Sequence, residues 1–552
     1  MGSDVYVCDF ETTTNPEDCR VWAWGAFNIF TDEFIYGNTL SGFFEWIFSQ
    51  NTIMIYFHNL KFDFEFMLYY LFENGFAHTE SKKLNNKEFT TLITDMGVFY
   101  SARIMNKSKA YYVQDSLKII PISVKEVSEA FGIEEEKGVI NYDKFREVGY
   151  KLNDKEVSYL KKDCLIIARA LKYFYDNDLK KQTIASNALN CFIKLIGGKS
   201  KLKRYFPVLE MDSELRRSYR GGFTFVNEKY QNKIVGEGIV LDVNSEYPFI
   251  MYTKMLPYGN PIFYTGKYKK CEFYTLYIQK IRCSFELKEG FLPTIQLKNN
   301  SRFVGTQYLK SSNKEEEVLV LTSVDLDLFL KHYEIFNLEY LDGWKFKASD
   351  QFFKEYIDKW VKEKQDATVT GNVGKRTIAK LLLNSLYGKF GTNPVFKGKE
   401  PIFVDGLVKY RTTEGEEREP LYIPMASFIT SYARELTISA AQANIERFLY
   451  ADTDSIHLLG TSIPTGIEVD DTKLGAWDKE ATFSRAKYIR PKSYIEEING
   501  EVVVTVAGLP ESCREYITFD NFNKGLTVYG KLQMKRVKGG IVLIETTFTI
   551  KI

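Results

Sequence analysis

The sequence predicts an α/β multidomain fold, and three observations carry that reading. The chain has 552 residues, 45% hydrophobic and 26% charged, enough for several domains with their own cores. Short apolar runs of strand period alternate with stretches of helical period, the pattern of mixed layers. Carboxylates far apart in sequence fall into two sets, one in each part of the chain. The first is Asp9, Glu11, Asp63 and Asp163; the second is Asp242, Asp452 and Asp454.

Taken in order, residues 1–183 read as one α/β unit. Val5–Asp9 and Thr52–Phe57 are buried strands, and Phe62–Phe72 and Asp154–Tyr175 are helices. The basic, Gly-containing stretch Ile196–Arg204 reads as a joint. A second unit opens with the strand Gly238–Val243, closed by a turn at Tyr247–Pro248. Residues 254–352 read as short strands and helices. Lys375–Leu386 reads as a strong helix stopped at Gly388. The Gly/Pro/charge-rich patch 391–420 reads as an inserted loop. Leu449–Leu459 is a hairpin around Asp452–Asp454, and the last 45 or so residues are a small β-rich end.

Net charge is +1, so any basic footprint must be local. Lys359–Lys399 holds nine Lys/Arg against Glu363 and Asp366, and Lys524–Lys538 holds five basic residues and no acid. Two such runs beside metal-type acids favour phosphate contacts. Seven cysteines without CxxC spacing exclude a zinc-ribbon reading and suggest reduced, intracellular thiols. No apolar run reaches the ~18 residues of a membrane span. The expectation is a soluble protein without signal peptide.

The acids carry the chemistry. Asp9 and Glu11 are two apart on a strand and share a face. Asn59 and Asp63, and Tyr159 and Asp163, are each one helical turn apart. Oxygen-only ligands favour Mg2+, with Mn2+ able to substitute, and paired metals serve phosphodiester chemistry. The first set suits hydrolysis, with Tyr159 orienting the water. In the second, Asp452 and Asp454 again share a strand face. Arg376, Lys380, Asn384 and Tyr387 form one polar helical stripe suited to a triphosphate.

DFETTT, HNLKFD and YLKKD resemble the three exonuclease motifs of proofreading DNA polymerases, which have an RNase H-like fold. YRGGF, LDVNSEYP, the Lys380–Gly388 segment, TSYAR, YADTDS and KSY follow one another along the chain and resemble, in the family's order, the motifs of family B polymerases, with insertions like those of the protein-primed, phi29-type phage branch. The resemblance implies a 3′→5′ exonuclease domain (1–183) followed by a right-hand polymerase domain (184–552). Its parts would be palm (about 184–253 and 420–506), first insertion (254–352), fingers (353–390), second insertion (391–419) and thumb (507–552). It implies metal ligands Asp9, Glu11, Asp63 and Asp163 in the first site, with Lys137 assisting cleavage. In the second it implies Asp242, Asp454 and the Val243 carbonyl, with Asp452 supporting the primer end.

Residue by residue, the resemblance gives Thr12, Tyr56, His58, Asn59, Phe62, Ser116, Leu117 and Tyr142 to the single-stranded primer end. It gives Lys380, Asn384, Tyr387 and Arg376 to the nucleotide, and makes Tyr247 the barrier to a ribose 2′-hydroxyl. Tyr219, Arg220, Gly221, Gly222, Ser245, Thr430, Arg434, Lys492 and Tyr494 would hold primer and template. The implied function is processive, strand-displacing replication of a linear viral or plasmid genome from deoxynucleoside triphosphates. The implied partners are primer–template DNA, a terminal protein as primer, and a single-stranded DNA-binding protein, with the chain monomeric or paired with terminal protein in the host bacterium's cytoplasm.

One departure stands out: Glu246 replaces the family's leucine beside Tyr247. Ala451, Pro491 and a shorter C-terminal region are further departures. The competing readings are a family B polymerase using ordinary primers, a nuclease whose second half only binds DNA, and a DNA-binding module. The intact Asp242/Asp454 pair argues against the last two.

Overall fold

The computed structural model describes residues 4–133, 140–142, 144–298, 301–302 and 304–551. Lys137 lies outside them.

The first unit is built on an eight-stranded mixed sheet. Its centre is Asp4–Thr12, antiparallel to Val21–Asn28 and parallel to Ile53–Phe57, which in turn runs parallel to Lys109–Asp115. Val5, Val7, Ile55 and Phe57 are buried, as apolar strands covered on both faces must be. The helix Leu60–Glu73 packs on one side. On the other, Asp154–Asp176 lies against the two central strands, its start fixed by a capping box between Asn153 and Glu156.

The second unit centres on a five-stranded antiparallel sheet, in the order Trp477–Phe483, Gly238–Val243, Ser455–Leu459, Phe448–Asp452, Thr224–Val226. The helix Ile423–Ala443 packs behind it and is buried along most of its length. A four-stranded sheet draws its strands from 256–349, and a second four-stranded sheet contains Arg485–Arg490 and Ser493–Ile498. Two antiparallel helices, Lys354–Val369 and Val373–Ser385, project together. Their turn uses Gly371 at φ 67°, a conformation glycine adopts without strain. The chain's last strands, Thr527–Val537 and Gly540–Thr549, form a hairpin that reaches back to the first unit.

Four local expectations are corrected. Gly388 does not stop the helix, because Leu386 keeps helical backbone and a further turn spans Tyr387–Phe390. Tyr247–Pro248 is no turn: the chain turns at Asn244–Ser245 and the helix Glu246–Thr253 follows. Pro248 sits in its first turn, where a missing N–H costs nothing. Ile196–Arg204 is a hinge only at Gly197 and Gly198 (φ 93° and 100°), with a helix at Lys199–Tyr205. Residues 391–420 are a β-ribbon rather than a loop. Lys399–Val404 pairs with Leu407–Thr412 across Asp405-Gly406, both at positive φ as a tight hairpin turn requires.

Candidate active sites

The first site lies where the central strand of the eight-stranded sheet meets its two flanking helices. Asp9, Glu11 and Asp163 bring one carboxylate oxygen each to within 4.8 Å of the others. Burial, with Asp163 next, raises Asp9 to about 7. Burial and Asp9 push Glu11 and Asp63 well above the usual carboxyl range, so Asp63 belongs to the same electrostatic cluster. Acids held this close are unstable as bare anions, and oxygen-only donors in such a knot fit a divalent cation. Tyr159 donates to Tyr142, which donates to Glu11, and burial pushes both phenols up. Arg146 stacks 3.8 Å over Trp22, pairs with Glu156 at 3.0 Å, and tempers the charge of Glu11.

Around this knot, Asn59 and Tyr142 are exposed, and His58, Phe62 and Leu117 are half-buried. Asn59 has φ 74°, its N–H held by Asp115 at 3.0 Å. The His58 ring is tied at both nitrogens, to Ser116 (3.0 Å) and the Ile122 carbonyl (2.8 Å), and burial lowers its pKa. Thr12, Tyr56 and Ser116 are buried. Tyr56 bonds Tyr175, and Ser116 donates to the Phe57 carbonyl.

The second site is set by strand register. Asp242 pairs with Ser455, and the Val243 N–H donates to the Asp454 carbonyl at 2.8 Å, which brings the two acids together. Burial and then Asp454 raise Asp242 to about 7; burial also raises Asp454. Asp452 turns away. It accepts Lys492 Nζ on both oxygens at 2.8 Å and the Thr224 hydroxyl at 3.0 Å. Lys492 is exposed, and Tyr494 packs on Tyr450 at 5.1 Å. Across the cleft, Arg376, Lys380 and Asn384 are exposed on one stripe while Ile378, Ala379, Leu382 and Leu383 are buried. Lys380 is close enough to temper Asp242. Tyr247 and Tyr387 stack at 3.9 Å, with Ser245 at φ 51° just before them.

The segment joining the units is tightly built. A Cβ at Gly222 would lie 2.7 Å from the Thr453 side chain, which explains the glycine. Gly221 is exposed and Tyr219 half-buried, with Lys298 Nζ donating to the Tyr219 carbonyl at 3.0 Å. Arg220, Thr430 and Arg434 are buried. Arg434 donates to Asp325 and to the carbonyls of Arg220 and Gly221, while the Thr430 hydroxyl donates to the Ala426 carbonyl. Against the cost of burial, Arg434 and Arg220 hold Asp325 below its usual range.

Two groups escaped the sequence reading. Asp478 pairs with Asp242 across the sheet, and Glu480 adds to the field at Asp242 and Asp454. Their strand spacing of two was a usable signal. Arg216, Arg217 and Lys298 line a cavity of about 550 Å³ beside Tyr219. No sequence period joins these, because they come from separate segments.

The family described as DNA polymerase type B, organellar and viral, matches residues 45–149 and 141–472. The chain is 44% identical to the DNA polymerases of Bacillus phages Nf and phi29, over 100% of each chain. It is 34% identical to the Streptococcus phage Cp-1 DNA polymerase, over 99% of this chain and 98% of that one. The solved phi29 DNA polymerase in complex with primer–template DNA and incoming nucleotide superposes with a TM-score of 0.94 at 43% identity, over all of both chains. With two carboxylate centres on the two sheets and likeness along the whole length, the chain belongs to the type B DNA polymerases, in their phi29-type branch, and is a DNA-directed DNA polymerase with 3′→5′ exonuclease activity.

Proposed function

We propose that Asp242 and Asp454 form the centre of nucleotide addition and that Asp9, Glu11, Asp63 and Asp163 form the centre of 3′-end hydrolysis. The observation that carries this is the pairing of raised acids in each centre, Asp9 with Asp163 and Asp242 with Asp454. Magnesium, with manganese as substitute, would be held by those carboxylates and the Val243 carbonyl. When bound it would lower the pKa of the attacking hydroxyl or water and neutralise charge developing on phosphate.

The chain's own groups do the rest. Lys380 and Arg376 grip the triphosphate, Asn384 and Tyr387 flank the base, and Tyr247 closes the space beside the sugar. Asp452 fixes Lys492, which with Tyr494 steadies the primer end. Tyr219, Gly221 and Gly222 track the template, with Ser245 at the nucleotide end of that path. In hydrolysis, Tyr159 and Tyr142 orient water beside Glu11, and Thr12, His58, Asn59, Phe62 and Leu117 border the frayed end. Buried Tyr56 and Ser116 support these residues from behind.

Domain limits follow the same reading: exonuclease to 183, then palm, fingers at 353–390, insertions at 254–352 and 391–419, and thumb from 507. Initiation on a hydroxyl of a terminal protein, cooperation with a single-stranded DNA-binding protein, and action in the host bacterium's cytoplasm complete it. No helix among the described residues is long and apolar enough to cross a membrane.

The test is a labelled primer–template with a downstream duplex, magnesium, and nucleotides present or absent. Extension through the duplex, and shortening without nucleotides, is the expected result. Asp242→Asn should abolish extension alone and Asp9→Ala shortening alone, each by at least about 10²-fold. Extension that survives Asp242→Asn would sink the assignment. Transfer of labelled nucleotide to the phage's terminal protein tests the priming step.

A further inference from the structure

Glu246 begins the helix that follows Asp242, and it is 1% exposed. Its Oε1 lies 3.1 Å from the Thr437 hydroxyl, and Oε2 has no polar partner among the described residues. The same hydroxyl lies 2.7 Å from the Thr453 carbonyl. A hydroxyl carries one proton, and a carbonyl can only accept. At the shorter contact the proton therefore points to Thr453, which leaves only lone pairs facing Glu246. An ionised carboxylate there would meet those lone pairs while buried, with its other oxygen unsatisfied, an arrangement with a large desolvation cost. A neutral carboxylic acid instead supplies the missing proton and completes a chain from Glu246 through Thr437 to Thr453. Burial, then the charge of Asp454, moves Glu246 well above the usual carboxyl range, in agreement with that count.

The end of this chain matters. Thr453 has φ 60° in the turn between Asp452 and Asp454, a conformation unfavourable for a β-branched residue. Its N–H is held by the Phe223 carbonyl at 2.7 Å. Its carbonyl belongs to the peptide that carries Asp454, and Thr437 holds it. Three segments distant in sequence are thus fastened at one point: the helix after Asp242, the long buried helix, and the turn bearing Asp454.

We propose that Glu246 is a positioning residue for nucleotide addition: as a neutral acid it orients the Thr437 hydroxyl, which holds the Thr453–Asp454 peptide and so the placement of Asp454 relative to Asp242. This rests on the reading of Asp242 and Asp454 as the polymerisation centre.

The test is single-nucleotide incorporation by the full-length protein under magnesium, with exonuclease activity on single-stranded DNA measured in parallel as the check on folding. Glu246→Gln keeps a donor of the same shape and should stay within about 3-fold of wild type in kcat and KM. Glu246→Leu fills the space but removes the donor that orients the Thr437 hydroxyl toward the Thr453 carbonyl. It should lower kcat by about 10-fold with KM for the deoxynucleotide within about 3-fold and exonuclease unchanged. Wild-type kcat in Glu246→Leu would overturn the proposal, as would a Gln variant as slow as the Leu one, which would show that the ionised form is required. Should Glu246→Leu lose exonuclease as well, Thr437→Val cuts the same chain from its other end and must give the same kcat loss, with Thr437→Ser restoring it. Extension surviving Asp242→Asn would instead defeat the assignment of the centre, leaving a distinct signature.

Discussion

Arg536 of the C-terminal hairpin donates to the Glu65 carboxylate at 2.9 Å, across 471 residues of chain. Tyr410, in the 391–420 ribbon, donates to the same oxygen at 3.0 Å. Glu65 is 1% exposed and sits two residues beyond Asp63 on the helix Leu60–Glu73. A single buried carboxylate therefore fastens the first unit, the ribbon and the hairpin at 527–549. The Arg536 side chain is 40% exposed, so without Glu65 its guanidinium returns to water and the hairpin loses its anchor. Glu65→Leu should therefore free the hairpin and ribbon while leaving both centres intact. With a DNA trap present, product length per binding event should fall several-fold, whereas single-nucleotide incorporation should stay within about 2-fold. Unchanged product length would show that the fastening has no part in holding DNA.

Acidity and metal requirement should be coupled with a definite sign. Asp9 and Asp242 are raised to about 7, so the folded protein keeps protons that the unfolded chain releases from about pH 4 upward. Metal-free stability is therefore greatest below about pH 4 as far as these groups are concerned, and it declines as pH rises to about 7. A divalent cation binds the ionised carboxylates, so its stabilisation grows through the same window. The rise in Tm on adding millimolar magnesium should be larger at about pH 8 than at about pH 5.5. Equal rises, or no reduction of the difference in Asp9→Asn/Asp242→Asn, would remove these two carboxylates as its source.

Much of both centres is legible because their spacing is local. Asp9 and Glu11 are strand neighbours, and the Arg376–Asn384 stripe follows from helical period alone. The shared strand face expected of Asp452 and Asp454 is corrected: the strand ends at Asp452, and Asp454 lies in the turn before Ser455–Leu459. The hairpin at 399–412 was equally open to reading, since Asp405-Gly406 between apolar alternations is a turn signal; the surrounding charge made the stretch resemble a loop. What no local pattern reveals is which cations are consumed inside. Arg434 looks like a phosphate ligand until Asp325 arrives from a strand–helix junction 109 residues earlier. Burial of Tyr56 and Ser116 likewise depends on elements that close over them from elsewhere in the chain.

That buried arginine gives a prediction of its own. Arg434→Ala would leave Asp325 buried and short of its main partner, at a cost of about 3–5 kcal/mol. Tm should fall markedly, and extension and exonuclease activity should be lost at similar temperatures. Below that temperature, the salt dependence of DNA binding should match wild type. A side chain that met phosphate would behave in the opposite way, with Tm preserved and the log–log salt slope reduced by roughly 1.

Selection against ribonucleotides should rest on the Tyr247 ring rather than its hydroxyl. The ring lies 3.9 Å from Tyr387 at an interplanar angle of 22°, so stacking holds it rigid, and the hydroxyl donates to Tyr387; on the proposed reading this ring is the wall beside the sugar. A rigid wall excludes a 2′-hydroxyl by overlap, whereas a hydrogen bond between the two tyrosines only trims the wall's orientation. Tyr247→Val removes the wall and should reduce deoxy-over-ribonucleotide discrimination by about 10–100-fold, with deoxynucleotide incorporation changed far less. Tyr247→Phe keeps the stack and should retain discrimination to within about 3-fold. Measured as the ratio of kcat/KM for the two sugars, a Phe variant as permissive as Val would move the barrier from the ring to the hydroxyl. The stack would then matter only as the support that aims it.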